Sequence, residues 1–290
     1  MNILDLKSSF VKSLSGIYPI EEIHSFFHIL SEKYLSLSRL DIVLDPGREI
    51  SNPTLSLYKE AVERLEKHEP IQYIIGETEF FDLIFKVNPA TLIPRPETEE
   101  LVDWILSELR NRRFSSEKLN ILDIGTGSGC IAIALAKNLA NSEVIALDIS
   151  SEALKVAMQN AKSNGVKVNF FEIDILQAES LSCHMGIENY DIIVSNPPYI
   201  RELEKRQMKP NVLEYEPATA LFVKDIDPLL FYRKISQLSR NHLKPNGSLF
   251  FEINEELKND MLELLKNEGF SQIKFKKDIY SKDRMVRAEI

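Results

Sequence analysis

The chain has 290 residues, of which 44% are hydrophobic and 27% charged, and its formal net charge is -9. This length exceeds the usual size of one domain, so we expect one large domain with a smaller companion. The acidic balance argues against a broad surface for nucleic acid. Two cysteines, Cys130 and Cys183, are too few for a disulfide framework, and the apolar runs are too short to span a bilayer, so a cytoplasmic protein without membrane association is expected.

The N-terminal region predicts a small helical domain over residues 1–69. Its apolar residues recur at helical spacing, and proline and glycine breaks such as Pro19 and Pro46-Gly47 divide it into several short helices. His24 and His28 stand four apart, a spacing that could hold a metal, but no third ligand is evident nearby. We therefore favour ordinary helix residues and predict no metal site.

Residues 70–90 carry a different pattern, which predicts a β-hairpin and linker. Residues 71–76 and 80–87 are rich in β-forming side chains. Residues 92–99 then place Arg95 between two prolines, whose fixed backbone aims the arginine side chain rigidly. Arg95 either faces the active site or braces the linker, and the sequence leaves both open. A helix begins at Thr98 or a neighbour.

After Arg113, strands and helices alternate, which predicts a parallel sheet with helices on both faces. The last two strands have no room for a helix between them and should pair antiparallel, so that a mostly parallel sheet contains one reversed strand. The predicted strands are residues 119–124, 144–147, 168–173, 191–194, 248–253, 273–276 and 284–290, and the predicted helices are residues 130–139, 151–163, 228–242 and 255–267.

A glycine-rich loop follows the first of these strands, with the sequence Asp123-Ile124-Gly125-Thr126-Gly127-Ser128-Gly129-Cys130. Glycines let the backbone approach a ligand closely. The dinucleotide fingerprint would require glycine where Cys130 stands, and no phosphate-loop lysine follows. The pattern is typical of S-adenosylmethionine sites, in which the cofactor ammonium would meet Asp123 and its carboxylate would meet loop N–H groups.

Acidic residues also end the next two strands. Asp148 lies 19 residues beyond Gly129, where a carboxylate can accept both ribose hydroxyls. Asp174 could accept from the adenine amino group, with Ile175 beside the ring. Together with the glycine loop, these residues predict a cofactor site at the carboxyl edge of the sheet.

The chemistry is predicted at Asn196-Pro197-Pro198-Tyr199, directly after a buried strand. Asn196 and Pro197 each precede a proline and are therefore stiff and extended. Prolines have no N–H, so the segment offers mainly acceptors. The Asn196 side-chain oxygen and the Pro197 carbonyl could accept the two hydrogens of a planar NH2 group, while Tyr199 packs on its flat face.

With these motifs in place, the sequence resembles the glutamine methyltransferases of peptide chain release factors, the PrmC or HemK family. The matching residues are Gln72-Tyr73-Ile74 with Gly76, residues 92–99, residues 123–129, Asp148, residues 194–200, Tyr215-Glu216-Pro217, Lys277-Asp278 and Asp283-Arg284.

The resemblance implies a Rossmann-like class I methyltransferase domain over residues 91–290 and an N-terminal domain that recognises the substrate. It implies methyl transfer from S-adenosylmethionine to the side-chain amide nitrogen of glutamine in the Gly-Gly-Gln motif of release factors. The glycine loop, Asp148 and Asn196 would contact the cofactor, and residues 196–199, with Arg95 as a further candidate, the substrate glutamine.

Two other functions stay open at this point. An adenine-amino methyltransferase of DNA or RNA would grip its NH2 group with the same Asn-Pro-Pro-Tyr segment and a base stacked on Tyr199. The acidic N-terminal region, with nine basic and fourteen acidic side chains through residue 88, argues against it, and we expect no direct nucleic-acid binding. A non-catalytic module that binds release factors or the ribosome is disfavoured because the cofactor loop and Asn196 are intact.

Overall fold

The computed structural model describes residues 1–111, 118–181 and 186–290; Cys183 lies outside them. Contacts within the described chain separate two compact units. The N-terminal unit comprises Met1–Gly76 with Lys209–Tyr215, and the sheet unit comprises Glu77–Met208 with Glu216–Ile290. The predicted domain boundaries at residues 69 and 90 stay predictions.

The helices and strands are numbered along the chain. The helices are α1 (Ile3–Leu14), α2 (Ile20–Leu35), α3 (Arg39–Leu44), α4 (Asn52–Leu65), α5 (Ile71–Ile75), α6 (Pro96–Asn111), α7 (Cys130–Asn138), α8 (Ser151–Ser163), α9 (Pro210–Tyr215), α10 (Ala218–Leu221), α11 (Leu230–His242) and α12 (Lys258–Asn267). The strands are β1 (Glu77–Phe80), β2 (Leu83–Lys86), β3 (Leu119–Ile124), β4 (Ser142–Asp148), β5 (Asn169–Glu172), β6 (Tyr190–Ser195), β7 (Ile200–Arg201), β8 (Phe222–Val223), β9 (Leu243–Glu252), β10 (Lys274–Lys277) and β11 (Asp283–Ala288). Short 3-10 turns span Glu202–Gln207 and Glu255–Leu257. Among the described residues, no helix is both long and apolar enough to cross a membrane.

The N-terminal unit is a helical bundle, as predicted. Helices α1, α3 and α4 begin at residues whose side chains cap the first turn: Asn2 accepts from the Asp5 N–H, Ser38 forms a reciprocal capping box with Asp41, and Ser51 accepts from the Thr54 N–H. The aromatic rings of Phe10, Phe27 and Tyr58 pack together at the centre, each at most 2% exposed. Burial of these large side chains is what holds the short helices together.

The hairpin prediction was correct for its second half and wrong for its first. β1 and β2 pair antiparallel. Residues 71–75, however, form the helix α5, which begins after Pro70 and ends at Gly76 with φ 74°. Ile71 and Ile74 join the helical core, so tertiary packing overrides the β-preference of these side chains.

A seven-stranded sheet forms the centre of the sheet unit, in the order β10-β11-β9-β6-β3-β4-β5. Strands β5, β4, β3, β6 and β9 pair parallel, whereas β11 pairs antiparallel with both β9 and β10. The single reversed strand and the doubly covered parallel sheet confirm the predicted fold class. Apolar clusters pack on both faces.

The strand order reverses at β3, which has β4 on one side and β6 on the other. In open α/β sheets, ligands bind beyond the carboxyl ends of the strands at such a reversal. The glycine loop after β3 and the Asn196 segment after β6 both leave the sheet there. The topology therefore places the two predicted halves of the site at one edge.

Candidate active site

A cavity of about 360 Å³ lies at this edge of the sheet, within the usual size range of small-molecule sites. Eight of the predicted site residues line it: Gly125, Gly127, Asp148, Asp174, Ile175, Asn196, Pro197 and Pro198. The lining does not include Asp123, Thr126, Ser128, Gly129, Tyr199 or Arg95. The cavity thus unites most of the predicted site residues.

The glycine loop has backbone angles that favour glycine, with φ of 76° at Gly125 and 84° at Gly129. A Cβ on Gly129 would lie 2.8 Å from Ile133 Cδ1 and 3.1 Å from Ala157 Cβ, so the positive φ and the close approach of helices α7 and α8 both favour glycine here. The N–H groups of Gly125 and Thr126 both donate to the Leu147 carbonyl at 2.8 Å. These two amides are therefore engaged within the protein, and contact of a cofactor carboxylate with the N–H groups of this loop stays a prediction.

Asp148 is oriented by two backbone amides. Its Oδ2 accepts from the Gly127 N–H at 2.8 Å and its Oδ1 from the Ser150 N–H at 2.9 Å. Burial raises the pKa of this carboxyl group, and the two amides oppose that effect. A carboxylate has about four acceptor positions, so Asp148 retains the capacity to accept two ribose hydroxyls from the cavity.

Asp174, which follows strand β5, is also held by a backbone amide two residues further along the chain. Asp174 Oδ1 accepts from the Leu176 N–H at 2.9 Å, which fixes the carboxylate at the cavity wall. Ile175 beside it is 8% exposed and offers an apolar face. Two strand-end carboxylates, an apolar side chain and a glycine loop are a donor and acceptor set that fits an adenosine-containing cofactor.

Asp123 lies behind the loop and is fully buried. Its Oδ2 accepts from the Thr126 hydroxyl at 2.6 Å and from the Ala132 N–H at 3.2 Å, which ties the loop to helix α7. Its Oδ1 is buried and has no hydrogen-bond partner among the described residues. Burial raises the pKa of Asp123 to about 7. The geometry gives Asp123 a role in holding the loop; its contact with a cofactor ammonium stays a prediction.

Asn196 is held at the opposite wall. Ser195 donates its hydroxyl to the Ile124 carbonyl at 2.7 Å, which locks the end of β6 to that of β3. Asn196 Nδ2 donates to Thr98 Oγ1 at 3.3 Å, and the Thr98 hydroxyl donates to Glu252 Oε2 at 2.6 Å. The amide group that sequence analysis assigned to the substrate is therefore connected to a buried carboxylate.

Tyr199 does not reach the cavity. Its hydroxyl donates to Glu252 Oε1 at 2.9 Å, and its ring packs against the apolar cluster on one face of the sheet. Burial and the neighbouring Glu252 raise the pKa of Tyr199 well above 10. In this structure the Tyr199 ring therefore packs beneath the Asn196-Pro197-Pro198 segment and does not line the cavity in which a planar NH2 group would lie.

Arg95 forms an ion pair with Glu216, with 2.6 Å between Nη2 and Oε1. The Glu216 side chain is 1% exposed and also accepts from the Ile93 N–H at 3.2 Å. Of the two roles left open for Arg95, this geometry supports bracing of the segment before α6. Arg95 does not line the cavity.

Sequence reasoning missed Thr98 and Glu252 as parts of the site. Glu252 ends strand β9 in the same way as Asp148 ends β4, so the strand-end rule that found Asp148 could have found it. Thr98 was predicted to start a helix and lies within the matching residues 92–99, but no role in the site was assigned to it. Of the remaining cavity wall, Pro217 belongs to the matching segment Tyr215-Glu216-Pro217, whereas Thr219, Ala220, Phe222 and Phe231 carry no motif and gave no signal.

Two family models match the chain. A model described as "Methyltransferase domain" matches residues 115–283, and one described as "PrmC N-terminal domain" matches residues 10–76. Among solved structures, the hMettl16 catalytic domain in complex with an MAT2A 3′UTR hairpin has a TM-score of 0.55 at 16% identity, covering 84% of each chain. A T. thermophilus 16S rRNA methyltransferase, RsmC, has a TM-score of 0.51 at 17% identity, covering 73% of this chain and 49% of that chain. At these identities the likeness concerns the fold alone.

Curated relatives share far more of the sequence. The release factor glutamine methyltransferase of Flavobacterium psychrophilum is 51% identical over 288 residues, 99% of each chain. The enzyme of the same name from Bacteroides thetaiotaomicron is 44% identical over 279 residues, 96% of each chain. That from Lactococcus lactis is 42% identical over 240 residues, covering 82% of this chain and 84% of the relative. The chain therefore belongs to the release factor glutamine methyltransferase family.

Proposed function

We propose that this protein transfers a methyl group from S-adenosylmethionine to the side-chain amide nitrogen of the glutamine in the Gly-Gly-Gln motif of peptide chain release factors. The observation that carries the proposal is the placement of Asn196-Pro197-Pro198 on the wall of the same cavity as Asp148 and Asp174. Acceptors for an NH2 group thus face a site suited to an adenosine-containing methyl donor. Membership of the family supports the same activity.

On the cofactor side, each residue has a distinct task. Asp148 would accept the ribose hydroxyls, Asp174 would accept from the adenine amino group, and Ile175 would pack beside the adenine ring. Gly125 and Gly127 have no Cβ, which leaves room for the cofactor to approach the backbone closely. When bound, S-adenosylmethionine supplies an electrophilic methyl group on a sulfonium.

On the substrate side, the Asn196 side-chain oxygen and the Pro197 carbonyl would each accept one hydrogen of the glutamine NH2 group. An amide nitrogen is a poor nucleophile because its lone pair is delocalised, so its orientation towards the methyl carbon matters most. Proximity and orientation can lower a barrier by about 7 to 11 kcal/mol. The same two acceptors stabilise the positive charge that grows on nitrogen during transfer.

The proposal also assigns the partner and the compartment. Release factors are the protein substrates, and residues 1–69 form the domain that recognises them. The net charge of -9 disfavours nucleic acid as the substrate because phosphate contacts require basic surfaces. The protein would act in the cytoplasm, where its two cysteines, Cys130 and Cys183, would stay reduced.

The test is incubation of the purified protein with tritiated S-adenosylmethionine and a bacterial release factor. We expect label on the release factor and none on a variant whose Gly-Gly-Gln glutamine is alanine. A second reaction with DNA and RNA in place of the release factor tests the adenine-amino alternative. Label on nucleic acid with none on the release factor would overturn the proposal.

A further inference from the structure

Glu252 is a buried carboxylate at the end of β9, 1% exposed, and both of its oxygens are engaged by hydroxyl groups. Thr98 donates to Oε2 at 2.6 Å and Tyr199 donates to Oε1 at 2.9 Å. Burial raises the pKa of Glu252, and the hydrogen bonds from Thr98 and Tyr199, together with the charge of Arg284, oppose that rise. Because each oxygen has its own donor, the carboxylate is held in one rotational position.

The charge state of Glu252 therefore determines which atom is the donor in each hydrogen bond between Glu252, Thr98 and Asn196. An ionised carboxylate only accepts, so the single hydroxyl proton of Thr98 points towards Glu252. The Thr98 oxygen can then act only as an acceptor towards Asn196, which must present its NH2 group at that contact of 3.3 Å. The Asn196 carbonyl oxygen is left as the acceptor on the other side of the amide.

We propose that Thr98 and Glu252 are positioning residues that fix which end of the Asn196 amide faces the substrate. This inference rests on the proposed function and deepens it. Oxygen and nitrogen of an asparagine amide have nearly the same shape, so packing alone distinguishes them poorly. The hydrogen-bond chain from Glu252 through Thr98 supplies the distinction.

The distinction matters for turnover. With its oxygen towards the cavity, Asn196 accepts a hydrogen from the glutamine NH2 group. A flipped Asn196 would present two N–H donors to another NH2 group, and the substrate would lose one of its two orienting acceptors. Cofactor contacts at Asp148 and Asp174 would be unaffected, so the effect on turnover should exceed any effect on cofactor affinity.

Kinetics of four variants test the proposal. Thr98→Val removes the hydroxyl at nearly constant volume and should lower kcat roughly tenfold, with less than a twofold change in the Kd for S-adenosylmethionine. Thr98→Ser keeps the hydroxyl and should retain most of the kcat. Glu252→Gln should lower kcat to a similar extent as Thr98→Val. The carboxylate has one oxygen for each of the two hydroxyl donors, whereas the glutamine amide has one oxygen and one NH2 group.

The matched control is Tyr232→Phe, which deletes a buried hydroxyl that donates to the backbone carbonyl of Glu252 at 3.0 Å. It should change kcat less than threefold even if it destabilises the fold as much as Thr98→Val does. Equal losses of kcat in Thr98→Val and Thr98→Ser, or an unchanged kcat in Thr98→Val, would overturn the positioning role.

A second measurement does not depend on the release factor. Neutron diffraction of deuterium-exchanged crystals of the full chain distinguishes nitrogen from oxygen in the Asn196 amide. We expect the deuterated nitrogen to face Thr98 in the wild type. An oxygen facing Thr98 would refute the inference even if the release factor is methylated, whereas the expected orientation without any methylation would refute the proposed function alone.

Discussion

The two walls of the cavity are built by different means. The wall proposed to bind the cofactor, called the cofactor wall (Gly125, Gly127, Asp148, Asp174 and Ile175), is held by contacts at and between neighbouring strand ends, such as Asp148 to Ser150, Asp174 to Leu176 and, 21 residues apart, Gly127 to Asp148. The acceptor wall (Asn196, Pro197 and Pro198) depends on Thr98, 98 residues away, which in turn depends on Glu252, another 154 residues away. Each residue of the cofactor wall can be recognised from a short segment of sequence. The acceptor wall, in contrast, depends on contacts between distant segments that only the folded sheet unit brings together.

This contrast predicts that changes in the cofactor wall act on affinity or on local stability, and that changes in the acceptor wall act on turnover. Four substitution experiments address the contrast. They are arranged by the size of the effect expected.

The largest effect is expected for Asn196→Ala in the acceptor wall. Loss of one of two orienting acceptors should lower kcat about 10²- to 10³-fold, the range found when one preorganised hydrogen-bonding group is removed from an active site. The Kd for S-adenosylmethionine should rise less than tenfold. Steady-state kinetics and calorimetry provide the two measurements.

Asn138→Ala is the matched control for that variant. Asn138 is exposed at the end of α7, where its side chain donates to the Ala134 carbonyl. Its kcat should stay near that of the wild type. If Asn196→Ala turned over at a near-normal rate, the acceptor wall would have no part in the chemistry.

A paired glycine substitution separates the stability of the loop from its role in binding. Gly129→Ala should lower the free energy of unfolding by about 2 to 4 kcal/mol, because its Cβ would crowd Ile133 Cδ1 at 2.8 Å and its φ of 84° is strained for alanine. Gly127→Ala meets no atom within 4 Å and should cost only about 1 to 2 kcal/mol. Urea unfolding of the apoprotein gives both values.

Gly127→Ala, the less destabilised of the two variants, should show the larger loss of affinity for S-adenosylmethionine. Gly127 lines the cavity and Gly129 does not. Folded Gly127→Ala should therefore bind S-adenosylmethionine more weakly than folded Gly129→Ala does. Equal unfolding free energies for the two variants would show that the approach of helix α7 to Gly129 is not what requires glycine.

Asp148→Ala should weaken S-adenosylmethionine binding about 10- to 100-fold, since hydrogen bonds to charged groups contribute about 1.5 to 3 kcal/mol. kcat at saturating cofactor should change much less. Asp103→Ala removes an exposed carboxylate from helix α6 and serves as the control for the change in net charge. A loss of kcat without a loss of affinity would contradict the division between the two walls.

The smallest effect concerns the pH dependence of stability that Asp123 contributes. Burial raises its folded-state pKa from 3.8 to about 7. The folded state therefore holds the proton more tightly than the unfolded state, and this stabilisation is lost as the pH rises from about 4 through about 7. Between about pH 6 and pH 8, the expected loss in the apoprotein is about 1.4 kcal/mol.

Asp123→Asn removes the titrating group while keeping an oxygen that can accept from Thr126. Its unfolding free energy minus that of the wild type, both measured by urea denaturation, should increase as the pH rises through this interval. A difference between the two proteins that is constant with pH would show that Asp123 does not titrate in this range.

Much of the cofactor wall was predictable because its signals are local. A glycine loop or an acidic residue directly after a strand is visible in a single segment, and Asp148, Asp174 and Gly127 all reach the cavity. Tyr199 and Arg95 were harder, because both have polar groups whose partners lie far along the chain. Glu252 takes the Tyr199 hydroxyl and Glu216 takes the Arg95 guanidinium, which keeps both side chains off the cavity wall.

The α5 segment shows the same limit on secondary structure. Ile71, Tyr73 and Ile74 prefer strands in isolation, but in a helix all three side chains are buried. The free energy of burying apolar surface exceeds the small difference in backbone preference, so the surroundings decide.

By itself, the sequence determined the alternating strands and helices of the sheet unit, the reversed last strand and the family, because hydrophobic periodicity and short motifs are properties of neighbouring residues. The tertiary structure alone decided the partners of each polar side chain. Hydrogen bonds form between groups that folding brings together, and the contacts from Asn196 to Thr98 and from Thr98 to Glu252 join three segments that are distant in sequence.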